Sequence, residues 1–484
     1  MKLESIERID VRPVNKKESR PLYAKRTKIH PKRATGKFRK VKWAVMAVTL
    51  AIYYLTPWIR WDRGPNAPDQ AVLIDFPGRR FYFFFIEIWP QEFYYLTGLL
   101  ILAAIGLFLI TSVAGRVWCG YSCPQTVWTD LFVAVERFVE GDRGARIRLD
   151  GAPWSAKKIG KRFVKHALWL LIAMLTGGAW VFYFADAPTL AVDLVTLNTP
   201  SIGYISIAVL TGTTYLLAGF AREQVCIYMC PWPRIQGALL DENSLAVTYH
   251  RNRGETRGAY RKGDAWEGRG HCVDCNQCVA ACPMGIDIRD GQQLECITCA
   301  LCIDACDTVM DRVGLPPGLI SYDTLANAEA PPEAPRRPYQ LVRPRTLIYT
   351  GLLVLVAAIM AATLFTRSSL DVNILRDRNP LFVVLSDGSI RNGYTLKIVN
   401  KDHSVQQLAL RVDGLPGATV AVLGAEGEAL VLKAAPDRVA SYRIFVSAPR
   451  SELTSASTSV TFVLTDTAHA VEVRHATTFR GPEK

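Results

Sequence analysis

The chain has 484 residues, a formal net charge of +13 and a 50% share of hydrophobic residues. That length would serve about three soluble domains, but the apolar residues gather in blocks, which excludes an ordinary soluble arrangement. The basic balance does not argue for nucleic acid, because positive charge beside an apolar block holds topology and touches anionic lipid.

Residues 1–42 form a basic arm with fifteen Lys and Arg. Five apolar blocks follow, at about 43–59, 93–113, 167–184, 202–220 and 346–365, each near the length that crosses a bilayer. The first is short, yet a cleaved signal peptide does not fit it. A long polar segment precedes it and no small-residue cleavage site follows. The spacing therefore predicts five transmembrane helices, four of them within 43–220. The aromatic stretch "RRFYFFFIEIWPQEFYY" is broken by Trp89-Pro90 and reads as interfacial.

Orientation follows from the connecting segments. The segment 57–92 holds four Lys and Arg, 114–165 ten, 185–201 none and 221–345 fourteen. Rich and poor segments alternate, which predicts a cytoplasmic N-terminus and an outside location for everything after the fifth block.

Two matching motifs stand just after the second and fourth blocks: "VWCGYSCPQ" at 117–125 and "QVCIYMCPW" at 224–232. Both fit C-x-Y-x-C-P. On a helix, positions i and i+4 share a face, and a proline disfavours helix in the residue before it. Each helix is thus expected to end at its second thiol. If the second and fourth blocks pack together, Cys119, Cys123, Cys226 and Cys230 converge. Soft thiolates in such a group suit Cu(I), zinc or an iron–sulfur cluster, and a redox-active disulfide is a further alternative. Arg116 and Arg222 precede the motifs and either lower the thiol pKa or serve as ordinary positive-inside anchors, the more common role.

All twelve cysteines fall in segments expected on the cytoplasmic side, the reverse of a secreted disulfide framework. Eight lie in "CVDCNQCVAACP" and "CITCALCIDACD", two runs of C-x2-C-x2-C-x3-C. This is the bacterial ferredoxin pattern for two [4Fe–4S] clusters. Three closely spaced thiolates cap one cube and the fourth reaches the other. The spacing assigns Cys272, Cys275, Cys278 and Cys306 to one cluster, and Cys296, Cys299, Cys302 and Cys282 to the second. Zinc sites more often use two separated C-x2-C pairs. Asp307 stands where the second run would usually have proline. A cytoplasmic ferredoxin domain is expected at about 265–320. No G-x-G-x-x-G follows a strand and no C-x-x-C-H is present, so electrons are expected from an external cytoplasmic donor. His166, His250 and His271 are not counted as ligands, and neither is Met229.

A Pro- and Ala-rich linker, "LANAEAPPEAPRRPYQ", leads to the fifth block. Residues 370–484 then alternate apolar and polar residues between turn signals, as in "GYTLKIVNKD" and "TSVTFVLTD". That period predicts an immunoglobulin-like β-sandwich without disulfides or a catalytic constellation. His403, His469 and His475 are scattered in it, and docking is the expected role.

On "WCGYSCPQTVWTD", "CIYMCPWPRIQGALLDENSLAVTYHRNRGE", the double cysteine run and "RDRNPLFVVLSDGSIRNGYTLKIVN" the chain resembles the FixG/CcoG (RdxA) family of cytochrome oxidase accessory proteins. The resemblance covers nearly the whole chain. The paired C-x3-C-P motifs also occur in NapH/NosR-type membrane ferredoxins, which lack the outer domain. The resemblance implies a bacterial inner-membrane protein that supports assembly of cbb3-type oxidases and reduces Cu(II) to Cu(I) in the cytoplasm. Its partners would be an electron donor, a copper chaperone or copper-exporting ATPase, and oxidase assembly components. Cys119, Cys123, Cys226 and Cys230 would then be the copper-reduction site. Two rival readings are an electron conduit to quinone or a membrane reductase, and a scaffold for oxidase assembly.

Overall fold

A computed structural model describes residues 8–15, 27–261, 266–328, 330–331, 335–402, 404–423, 430–453, 455–467 and 472–482. His403, His469 and parts of the basic arm and of the Pro- and Ala-rich linker lie outside the described residues. The chain divides into two compact units, Met1–Arg60 with Gln70–Met360, and Trp61–Asp69 with Ala361–Lys484.

Four helices among the described residues are long and apolar enough to cross a membrane: Pro90–Ala114, Ala156–Val181, Ser201–Ala221 and Pro344–Phe365. They overlap the later four blocks. The block at 43–59 is not among them, for a reason of composition. Its helix, Lys37–Leu55, opens with Lys37, Arg39, Lys40 and Lys42, and a 3-10 turn at Thr56–Trp58 replaces the α-helix around Pro57. This helix still runs beside Ala156–Val181. Near its C-terminal end Tyr53 donates to the Thr176 carbonyl at 2.7 Å, and Tyr54 shares a hydrogen bond with the Thr176 hydroxyl at 2.9 Å.

The aromatic stretch supplies strands β2 (Arg80–Phe83) and β3 (Ile86–Ile88), which with the preceding β1 (Val72–Asp75) form a three-stranded antiparallel sheet. Arg80 pairs with Glu87 at 3.0 Å and lies 3.8 Å over the Trp89 ring, so a charge beside the aromatic surface is neutralised and stacked.

Strands β4 (Leu245–Tyr249) and β5 (Ile320–Thr324) pair antiparallel and close the segment that carries the eight cysteines. Val247, Val279, Ile303, Met310 and Ile320 form its core. Each C-x2-C-x2-C run leads into a helix, Gln277–Ala281 for the first and Leu301–Val313 for the second. The two loops repeat one backbone form. Asp274 and Asn276 have φ of 47° and 57°, and their counterparts Thr298 and Ala300 have 52° and 60°.

The second unit is a β-sandwich. One sheet orders β10 (Thr419–Val422), β12 (Arg438–Ala448), β8 (Ile390–Asn400) and β6 (Leu370–Arg376), with β7 (Val383–Val384) also on β8. The other orders β11 (Val431–Ala434), β9 (Gln406–Asp413), β13 (Ser457–Asp466) and β14 (Glu472–Arg480). Alternation puts Ile390, Tyr394, Leu396 and Ile398 of β8 in the core against Leu408, Phe462 and Leu464. Asn400 closes one end through hydrogen bonds to the Ser404 and Ala434 carbonyls at 2.8 and 3.1 Å. This is the predicted immunoglobulin-like architecture. His475 is half-buried on β14 opposite Phe462.

Candidate metal centre

The eight clustered cysteines sort into two sets by proximity. Burial pushes the Cys306 thiol up, and Cys278, Cys275 and Cys272 push it further. Burial does the same to Cys302, followed by Cys299, Cys296, Cys282 and Cys278. Cys282 is pushed up to about 12 by burial and then by Cys299, and Cys296 to about 11 by burial. Cys278 borders both sets, and the crossed assignment of ligands itself rests on the C-x2-C-x2-C-x3-C spacing. Such thiols cannot ionise together without a strong counter-charge, which iron supplies when it binds. The loops provide a second sign of fit. Left-handed residues alternate through both loops, and the Thr298 N–H donates to the Cys296 sulfur at 3.4 Å, a backbone arrangement that suits an anionic group. Among the described residues, no three His, Cys, Asp or Glu side chains converge as they would around a single metal ion. A tetrahedral zinc would need sulfurs only about 3.8 Å apart, whereas a cube spreads its ligands.

The second group is built differently from expectation. The helix of the second block ends at Ala114, before the motif. Gly115, at φ 63°, turns the chain where a Cβ would stand 2.3 Å from the Leu245 carbonyl. Cys119 then sits on the short helix Val117–Tyr121, and extended Cys123 caps the helix Pro124–Glu140, with proline at its first position. In the other motif, a π-helix Tyr215–Ala221 ends at Arg222, whose φ is 45°, and a second π-helix Val225–Met229 carries Cys226 and ends at Cys230. Both pairs therefore stand past a break, off the ends of the spanning helices. π-Turns of this kind recur at functional sites.

The four thiols are neighbours, although no three of them converge as they would around a single metal ion. Cys226 is pushed up to about 12 by burial, then by Cys123, Cys119 and Cys230. Cys119 is raised by burial although Arg116 pulls it down. The lowering expected from Arg116 is present but outweighed. Arg116 is itself buried and donates to the Leu294 carbonyl. Arg222 is committed elsewhere, to Glu136 at 2.9 Å.

Three residues not singled out from the sequence hold the nest. The Cys119 thiol donates to Gln236 at 3.0 Å, and Gln236 is fully buried. Gln125 donates to the Leu217 carbonyl at 2.9 Å and the Arg222 carbonyl at 3.2 Å, adding to the backbone bonds these carbonyls accept from Arg222 and Val225. Through it the first motif ties down the second. Glu136, also fully buried, pairs with Arg222, with Arg146 at 3.0 Å and with Lys165 at 3.7 Å. Burial opposes the Glu136 carboxylate, but these cations prevail and hold its pKa at about 2. Gln125 directly follows Pro124, and Gln236 lies in the long quoted match, so position relative to the motifs is the signal that would have found them.

The nest abuts the second cysteine set. A Cβ on Gly120 would lie 2.6 Å from the Ile297 carbonyl and 3.0 Å from the Cys299 Cα. Cys119 and Cys226 pack with Cys282, Cys296, Met284 and Ile297 in one apolar cluster. Tyr322 donates to the Thr298 carbonyl at 2.5 Å beside this contact. The arm wraps the other side. Ile9 N–H donates to the Cys275 carbonyl at 3.1 Å, Val14 to Gly285 at 2.8 Å and Lys32 to Ala280 at 2.7 Å. Asp304 accepts the Phe38 and Arg39 N–H groups at 3.1 and 2.7 Å and so caps the helix Lys37–Leu55. The three histidines near the centre have protein partners: His166 with Tyr215, His250 with Ser321 and His271 with Arg253. Met229 is exposed.

Comparison with known proteins is consistent along the chain. Residues 221–325 match the family model of a 4Fe-4S dicluster domain, residues 96–161 that of a 4Fe-4S binding domain, and residues 360–482 that of the "IG-like fold at C-terminal of FixG". The chain is 53% identical to the "Nitrogen fixation protein FixG" of Rhizobium meliloti over 98% of its own length and 96% of that protein. It is 54% identical to "Protein RdxA" of Cereibacter sphaeroides over 89% of its length and 92% of that protein. For "Protein RdxB" of the same organism the identity is 56%, over 83% of this chain and 87% of that protein. A crystal structure of a FixG-related protein from Vibrio parahaemolyticus matches 24% of this chain and 97% of its own, at 26% identity and a TM-score of 0.21. The protein carries two [4Fe–4S] clusters.

Proposed function

This chain belongs to the FixG/RdxA family, and from that premise we propose that it is an inner-membrane iron–sulfur protein that reduces Cu(II) to Cu(I) on the cytoplasmic side and supports assembly of a cbb3-type oxidase. Cys272, Cys275, Cys278 and Cys306 hold one cluster, and Cys296, Cys299, Cys302 and Cys282 the other. Bound there, the clusters supply single electrons.

Copper is the substrate, received by Cys119, Cys123, Cys226 and Cys230. The observation that carries this reading is the packing of Cys119 and Cys226 against Cys282 and Cys296 of the second cluster set, with Gly120 against the Cys299 backbone; the four thiols are neighbours that copper would draw together on binding. One electron converts each Cu(II) to Cu(I), the ion that soft sulfur prefers, so the thiols that accept the product favour its formation. Gln236 holds the Cys119 thiol in place, and the Glu136–Arg222 pair with Gln125 holds the two motifs together. Release would be to a copper chaperone or exporting ATPase.

The chain crosses the membrane five times in this reading, with the β-sandwich in the periplasm. The distribution of Lys and Arg supports it, as does the course of Lys37–Leu55. At 1.5 Å per residue its uncharged part, residues 43–55, reaches about 20 Å, so the 3-10 turn Thr56–Trp58 and Ile59 complete the crossing in this reading. Replacing Cys119, Cys123, Cys226 and Cys230 together by Ser tests the copper site. The variant should keep its iron and sulfide yet lose Cu(II) reduction by at least tenfold; an unchanged rate would remove these thiols from the reaction.

A further inference from the structure

The loop that delivers Cys272 carries a concentration of positive charge. Residues 251–271 read "RNRGETRGAYRKGDAWEGRGH". Among the described residues here Arg251, Arg253, Arg257, Arg261 and Arg269 stand against Glu255 and Glu267, and with Arg257 paired to Glu255 at 3.9 Å the guanidinium groups remain in excess. The loop is bolted to the first cysteine set through its backbone. Gly258 N–H donates to the Cys272 carbonyl at 3.1 Å, Cys272 N–H to Gly254 at 3.3 Å and His271 N–H to Arg253 at 3.0 Å. Arg269 donates to the Gly258 carbonyl at 2.7 Å and lies 5.4 Å over the Trp266 ring, which stacks on Tyr260 at 4.7 Å. The charges of the described residues 251–261 and 266–271 are therefore tied to one platform. Arg253 anchors it through the Pro317 carbonyl at 2.9 Å.

The opposite end of the pair of cysteine sets is already occupied, because Gly120 and the thiol nest cover the Cys299 side. We propose that the surface formed by Arg251, Arg253, Arg257, Arg261 and Arg269 is the docking site of the electron donor, and that this donor is a small acidic protein carrying a one-electron centre. The inference rests on the reading above and adds the point of entry: the Cys272 side receives and the Cys299 side delivers. One electron leaves the carrier per encounter, and no bond or proton need move. Complementary charge steers such encounters and shows as a steep dependence on salt. A lipid headgroup would also favour guanidinium, but this platform hangs on a cluster ligand loop, whereas Arg343 and Arg345 at the start of Pro344–Phe365 are paired with Asp241.

The test uses the full chain with its clusters, reconstituted in nanodiscs of zwitterionic lipid, and a recombinant acidic bacterial ferredoxin as probe. Binding by surface plasmon resonance should weaken at least tenfold in the double variant Arg251→Glu/Arg257→Glu, and should fall as salt rises from about 50 to about 200 mM. A basic cytochrome c should not bind. The variant should retain the wild-type EPR spectrum and dithionite-driven Cu(II) reduction, which separates docking from chemistry. If the double variant loses iron, Arg257→Glu alone serves. Equal ferredoxin binding by variant and wild type would overturn the proposal, and so would a loss confined to retention on phosphatidylglycerol vesicles. Failure of dithionite-reduced wild type to act on Cu(II) would instead sink the reductase reading and leave the docking surface standing.

Discussion

Gly120 shows how one missing side chain shapes the centre. Its Cα faces the Ile297 carbonyl and the Cys299 backbone at distances that no Cβ tolerates, and the opposing atoms are backbone, which yields poorly. Gly120→Ala is expected to push the Cys119 motif off the second cysteine loop while both clusters stay in place. Stopped-flow reduction of Cu(II) should slow by about tenfold or more, because small displacements are costly where geometry is preset, and iron content should remain at the wild-type level. Glu136 acts through charge. Removing its carboxylate takes the acidic partner from Arg146 and Arg222 in a dry site, while Lys165 keeps Glu140 at 3.0 Å; breaking a buried pair in this way costs about 3–5 kcal/mol. Glu136→Ala should therefore lower the thermal unfolding midpoint in detergent sharply, and a change within measurement error would show that the network is not structural. Neither role was legible in the sequence. Gly120 is simply the x of C-x-Y-x-C-P, and Glu136 looks like any acid on an amphipathic helix until the fold buries it.

Among the elements, those whose geometry follows from side-chain period or ligand spacing were readable. The cysteine runs fix their own pairing, since a loop that caps three irons leaves the fourth thiol only the other cube. The strands of the β-sandwich alternate plainly, as Ile390 to Ile398 do. The four strongly apolar helices were equally plain. The basic arm was not, because its attachment uses backbone groups: the N–H groups of Ile9, Val14 and Lys32 reach carbonyls of the cluster segment. Backbone hydrogen bonding leaves no mark on sequence. The expected helical i, i+4 thiol pairs missed for a related reason, since the breaks at Gly115 and Arg222 answer to tertiary contacts. The arm's role can be measured. Deleting residues 1–15 removes the Ile9 and Val14 hydrogen bonds and the Asn15 contact with Met284 at 2.7 Å. Anaerobic preparations should hold full iron, but visible absorbance should bleach several-fold faster in air. Bleaching at the wild-type rate would show that the arm does not shield the centre.

Across the whole molecule, the proposed path has a direction set by what covers each face: a basic platform at Cys272, two cysteine sets sharing one core, then a thiol nest held by the crossed contacts of two motifs. The membrane helices bring those motifs together, and the arm and Asp304 hold the cluster segment beneath them. The two motifs are separated by about a hundred residues of chain, so their meeting is a property of the fold and not of either segment. The central claim is that electrons held in the clusters reach copper. Anaerobic protein reduced by dithionite, freed of excess reductant and titrated with Cu(II), can be followed by EPR. The account predicts that the reduced-cluster signal disappears in step with added copper, without a Cu(II) signal, until about two equivalents have been consumed, one per cube. A Cu(II) signal that grows from the first addition while the cluster signal persists would contradict it.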